Sequence, residues 1–162
     1  MRIKNAALSS PCLKAGASRA HSVNSYTNLA NAELLGNLMW YDGPLVALYR
    51  AVNGDLYIVS WQDCTDTANI WLWLSINREL AILYLRGEVD LLACLKKAEK
   101  MFVATVDLVE NVDENNYTRW GTTCFADLEE SDLPEPGCVL TDVIEGEARD
   151  ALINLLVAER SA

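Results

Sequence analysis

Two hydrophobic runs separated by Asn53-Gly54 dominate the pattern of the chain. Leu45 to Val52 is almost continuously apolar, and so is Leu56 to Trp61. Asn-Gly between two such runs predicts a β-hairpin, because both residues accept the backbone of a tight turn. Ahead of it, Asp42-Gly43-Pro44 is turn chemistry, so the stretch Trp40 to Leu45 is expected to launch the hairpin. Val46, Leu48 and Val52 share one side of the first strand with Arg50, while Leu45, Ala47, Tyr49 and Ala51 share the other. In the second strand Leu56 and Ile58 oppose Tyr57, Val59 and Trp61. Neither side is cleanly polar, so both faces are expected to be covered at least in part.

The pattern continues as a meander. Gln62 to Asn69 is polar and reads as a loop. Ile70 to Leu74 reads as a third strand, with Trp71 and Trp73 on one side and Ile70, Leu72 and Leu74 on the other. Ser75 or Asn77 caps a helix carrying Leu80, Leu83 and Tyr84 that ends at Gly87. A second helix follows Asp90, with Leu91, Leu92, Leu95 and Ala98 on its apolar stripe and lysines at its end. Met101 to Val109 alternates as a strand, Asn111 to Asn116 turns, and Tyr117 to Phe125 pairs back. The acidic segment Asp127 to Gly137, with Pro134 and Pro136, reads as an exposed loop, and Val139 to Ile144 as a short strand. Glu147 to Arg160 is a helix on Ala148, Ala151, Leu152, Leu155 and Leu156. Near the other end, Leu34, Leu35 and Leu38 predict a short helix over Ala30 to Met39, capped at Asn28 or Asn31. The fold class is α+β: an antiparallel sheet built on a central hairpin meander, with helices packed against it.

Charge divides the chain in two. Residues 1–32 contain Arg2, Lys4, Lys14 and Arg19 and no acid, in a Ser-, Ala- and Asn-rich setting expected to be a flexible arm. The same composition suits an organellar transit peptide, which stays open. Residues 33–162 form a single acidic domain that holds all 23 acids against nine lysines and arginines. Between Asp107 and Asp150 only Arg119 and Arg149 oppose 13 acids. Such a surface repels phosphate, so direct nucleic-acid binding is not expected, whereas a protein with a basic surface is. An apolar fraction of 51% supplies a core, and no apolar stretch is long enough to span a membrane. The five cysteines match no zinc or thioredoxin spacing, which suits a reducing, cytoplasmic setting.

Chemistry that would define an enzyme is sparse. The only histidine, His21, lies in the arm. There is no Walker sequence and no dinucleotide fingerprint. The acidic run from Asp113 has Thr118 where a calcium loop needs glycine and Cys124 where it needs glutamate. Asp63 with Asp66, and Glu129 with Glu130, are paired acids that keep a carboxylate- or metal-dependent enzyme as the alternative reading. No catalytic, cofactor or metal residue is assigned. Trp40, Tyr41, Tyr49, Tyr57, Trp61, Trp71 and Trp73 crowd the proposed sheet. Most suit a core, yet the side bearing Trp71 and Trp73 is the better candidate for a partner surface.

At Tyr41-Asp42-Gly43-Pro44-Leu45 the chain resembles a family of small bacterial and phage domains of unknown function. The likeness extends over about residues 36–110, through the hairpin, the third strand and the helix closing with Leu85-Arg86-Gly87. It implies a small α+β domain in a prokaryotic or phage setting and transfers no active site. The function expected is a non-catalytic, acidic protein-interaction module, of the kind that inhibits a basic nucleic-acid-handling protein. Its candidate partner residues are Trp71, Trp73, Glu129, Glu130 and Asp132. A structural homo-oligomer subunit is a further alternative.

Overall fold

A computed structural model describes residues 23–40, 44–108, 118–130, 133–137 and 146–159. The Asp42-Gly43 turn, the turn at Asn111 to Asn116 and the strand expected at Val139 to Ile144 lie outside them, as do His21 and Asp132.

Among the described residues, six strands form one antiparallel sheet in the order of the chain: β1 (Glu33–Trp40), β2 (Pro44–Arg50), β3 (Leu56–Cys64), β4 (Ala68–Ile76), β5 (Met101–Asp107) and β6 (Thr118–Thr123). The expected meander is present, and it runs on through β5 and β6. At its hairpin, Ala51 N–H donates to the Asp55 carbonyl at 2.8 Å and Gly54 turns with φ +88°. The Asn53 amide donates to the Asp55 carboxylate at 2.8 Å, so the loop is held by its own side chains. The polar stretch after Trp61 is a shorter loop than its composition predicts. β3 continues to Cys64 and β4 begins at Ala68, with the Thr65 hydroxyl accepting from Ala68 N–H at 3.0 Å.

Alternation sorts the core onto two faces. One face is aliphatic. Leu48, Ile58, Leu74 and Met101 lie side by side across β2 to β5 and are all buried. Helices α2 (Arg78–Leu85), α3 (Leu91–Lys97) and α4 (Gly146–Ala158) add Leu80, Tyr84, Leu85, Cys94, Leu95, Leu152 and Leu156 to this cluster. The other face is aromatic, with Tyr57, Trp73 and Phe102 buried and Tyr49, Trp71 and Trp120 half-buried around them. Its helical contribution is α1 (Val23–Ala30), whose Leu29 is buried there.

The helix caps follow the sequence. The Asn77 side-chain oxygen Oδ1 accepts from Leu80 N–H at 2.8 Å, and α2 closes at Gly87, which adopts φ +73°. Asp90 caps α3 by accepting from Ala93 N–H at 2.7 Å. At the far end of the chain α4 forms where expected, but Ala148, Ala151 and Leu155 face solvent and only Leu152 and Leu156 are buried.

One expectation is corrected. The helix predicted over Ala30 to Met39 is strand β1. Its pairing with β2 shifts register three times, and such bulges insert extra residues that destroy strict alternation. The leucine spacing therefore looks helical although Leu38 is buried from a strand. Within the segment expected to be an arm, residues 23–30 are helical, and Asn31 closes that helix by donating its amide to the Thr27 carbonyl at 2.9 Å; residues 1–22 lie outside the described residues.

Gly36 explains how α4 reaches β1. A β-carbon there would stand 2.9 Å from the Leu152 side chain, so a bare backbone lets the helix pack closely. The C-terminal end of α4 is tied down by charge. Glu159 pairs with Arg50 of β2 and with Arg78 of α2, the latter at 3.2 Å. Arg50 Nη2 is buried and meets that carboxylate as an ion pair rather than as a well-angled hydrogen bond. Among the described residues, no helix is long and apolar enough to cross a membrane.

Candidate functional site

Three places collect candidate functional residues. The first is the acidic segment after β6. It is not a loose loop. Phe125, Leu128 and Leu133 pack against the aliphatic cluster, and Pro134 shares a small cavity of about 90 Å³ with Leu91 and Leu95 of α3. Gly137 N–H donates to the second carboxylate oxygen of Asp90 at 2.8 Å. The segment is thus a strap laid over the helical side, turning its acids outward: Asp127, Glu129, Glu130 and Glu135 are all exposed. Asp90 serves both the strap and the α3 cap. Those two backbone donors, Gly137 first and Ala93 second, hold its carboxyl below the ordinary aspartate range.

The second place is the aromatic face. Trp73 is 8% exposed and lies at the centre of the ring cluster, 5.0 Å from Tyr49, 5.2 Å from Trp120 and 5.9 Å from Tyr57 between ring centroids. Tyr26 of α1 stacks on Trp120 at 6.3 Å and meets the Phe102 ring edge-on at 6.2 Å. Trp73 is therefore a packing residue, and Trp71, half-buried beside Ala104, presents more surface. Of the predicted partner residues, Trp71 and Trp73 lie on the aromatic face and Glu129 and Glu130 on the strap. Asp132 lies outside the described residues.

The third place was not signalled by any motif. A pocket of about 350 Å³ opens where α1 crosses the end of the aromatic face. Its apolar wall is Tyr26, Tyr57 and Phe102, and its charged groups are Asp55, Glu99 and Lys100. Asn28 and Asn53, with Thr122 and Thr123 at the end of β6, add neutral hydrogen-bonding groups. Two turns place the charges. Asp55 closes the β2–β3 hairpin. Glu99 and Lys100 are held by Ser75 of β4, which accepts from Glu99 N–H at 3.3 Å and donates to the Lys100 carbonyl at 2.9 Å. Burial first, and the nearby Asp55 charge second, push the Tyr57 hydroxyl above its ordinary range. The only sequence signal for this pocket was the Asn-Gly turn and the aromatic density behind it. A wider groove of about 620 Å³ between α2 and α4 carries Arg78 and Arg86, of which Arg78 is already paired with Glu159.

The paired acids Asp63 and Asp66 stand at the β3–β4 connection, which the antiparallel register puts at the opposite end of the sheet from the β2–β3 hairpin and the pocket. Asp63 accepts from the Cys64 N–H at 2.8 Å. Among the described residues, no group of three or more His, Cys, Asp and Glu side chains is placed to hold a metal ion. Comparison with protein-family models, with curated proteins and with solved structures finds no match to the chain.

Proposed function

We propose that the protein is a non-catalytic interaction module that uses its acidic surface to bind a basic protein. The observation that carries this reading is the pairing of the arginines beside an exposed acidic strap. Arg50, Arg78, Arg86, Arg119 and Arg149, the five arginines among the described residues, all pair with acids of the same chain. Arg119 does so by a two-point fork to Asp107, at 2.8 and 3.1 Å. Meanwhile the strap exposes Asp127, Glu129, Glu130 and Glu135 on a backbone anchored by apolar packing. Internally neutralised arginines and an outward, pre-positioned acidic strap favour encounter with a basic surface and disfavour phosphate.

A nucleic-acid-handling protein fits that description, because its binding channel must be basic. Occupying the channel would inhibit it, as a phage or mobile-element protein in the bacterial cytoplasm does. Affinity capture from the native host, followed by a salt titration, tests the reading. Binding should weaken steeply as salt rises. Charge reversal of Glu129, Glu130 and Asp132 to lysine should slow association by about tenfold or more. Association that ignores both salt and charge reversal refutes it.

A further inference from the structure

We infer that the pocket between α1 and the end of the aromatic face receives an arginine side chain of the basic partner. This deepens the interaction reading and rests on it.

The pocket combines the two features that select a guanidinium. Half-buried Tyr26 gives the pocket its more accessible ring, and the buried Tyr57 and Phe102 line it behind, with Tyr57 meeting Phe102 at 6.2 Å and 58° and Tyr26 meeting Phe102 at 6.2 Å and 80°. A planar cation lies favourably against a ring such as Tyr26, and arginine does so more readily than lysine because its guanidinium stacks and sheds water more easily. Asp55 and Glu99 supply two carboxylates against one ammonium, Lys100, so the lining carries a formal charge of −1. The two acids have different anchors, since Asp55 is fixed by Asn53 and Glu99 by its backbone bond to Ser75. The volume lies at the low end of ligand pockets, enough for a side chain and its water and too small for a folded element.

Lys100 makes the assignment specific. It shares the lining with the two acids and opposes any cation that enters, so its removal should help an arginine and hurt an anion.

The test titrates the full chain with acetyl-arginine amide and, separately, with the neutral isostere acetyl-citrulline amide. Binding is followed by calorimetry and by NMR shifts of the Tyr57 and Phe102 rings. The arginine probe should bind saturably in the millimolar range, and the citrulline probe should not. Glu99→Gln should weaken binding by up to about fivefold, as for one exposed ion pair, and Lys100→Ala should strengthen it. Tyr26→Leu, on a half-buried ring, should also weaken it without unfolding the sheet. Equal binding of the two probes, no saturation, or stronger binding by Glu99→Gln overturns the assignment. If the probe fails while strap charge reversal still blocks partner capture, the pocket assignment falls and the interaction reading stands. If the probe binds but the strap variants capture as before, the interaction reading falls.

Discussion

The two faces of the sheet are built from neighbouring residues and solve different problems. On β4, Leu74 faces the aliphatic side and is fully buried, while Trp73, one residue earlier, faces the aromatic side. Leucine, isoleucine and valine on the first face fill space without demanding polar partners, and three helices cover them. The second face uses large rings that shield small residues such as Ala47, Val59 and Ala104. One eight-residue helix contributes Tyr26 and Leu29 to it, and a pocket opens at its margin. The aliphatic side, covered by three helices, is therefore expected to carry more of the stability, and the aromatic side keeps a pocket at its margin.

The sharpest way to break this contrast is Leu74→Ala. A cavity at the centre of the aliphatic face should cost about 2–5 kcal/mol in denaturant unfolding, with every probe of structure lost together. A smaller loss would mean that this side is not the stabilising one. Leu29→Ala on α1 should cost about 2 kcal/mol or less, and its effect should be local. Amide exchange should quicken in α1 while β4 stays protected, and the Trp120 signal should change as Tyr26 moves. Uniform quickening across the sheet would erase the distinction between the faces.

Asp90 sharpens the picture on the helical side. Asp90→Ala removes the α3 cap and the strap anchor together and should cost about 1 kcal/mol. The pH dependence has a definite sign. Because the folded carboxyl is held below its ordinary value, its stabilisation is complete above about pH 4 and is lost as pH falls through the lower folded value. Asp90→Asn keeps a cap acceptor and should flatten the acid limb of the stability curve. An unchanged acid limb in that variant would show that Asp90 does not hold the strap by charge.

The smallest effect concerns thiols. Burial, with Asp90 adding to it, pushes the Cys94 thiol up to about 12, so it stays protonated and covered in the native state. Cys64 and Cys124 are exposed, although Cys124 donates its S–H to Asp127 at 2.9 Å. Peptide mapping after brief alkylation should find label on Cys64 and Cys124 and none on Cys94 until the protein is unfolded. Label on native Cys94 would reveal opening of the aliphatic core at α3.

Local chemistry in the sequence determined the hairpin, the cap at Asp90, a cap at Ser75 or Asn77, the stop at Gly87 and the alternation that sends Ile58 and Val59 to opposite faces. Each depends on a residue and its near neighbours, so each was legible without the fold. Tertiary structure alone decided the rest. β1 is a strand because β2 pairs with it and Gly36 admits Leu152, a contact from the other end of the chain. Acidic composition made the segment after β6 read as an exposed loop, and its acids are exposed, yet Phe125, Leu128 and Leu133 also find the aliphatic cluster and Gly137 finds Asp90. The pocket needed α1, the β2–β3 turn and the α3–β5 connection to meet. Its residues carry no common motif because their proximity is a property of the sheet's register, which joins positions far apart in the chain.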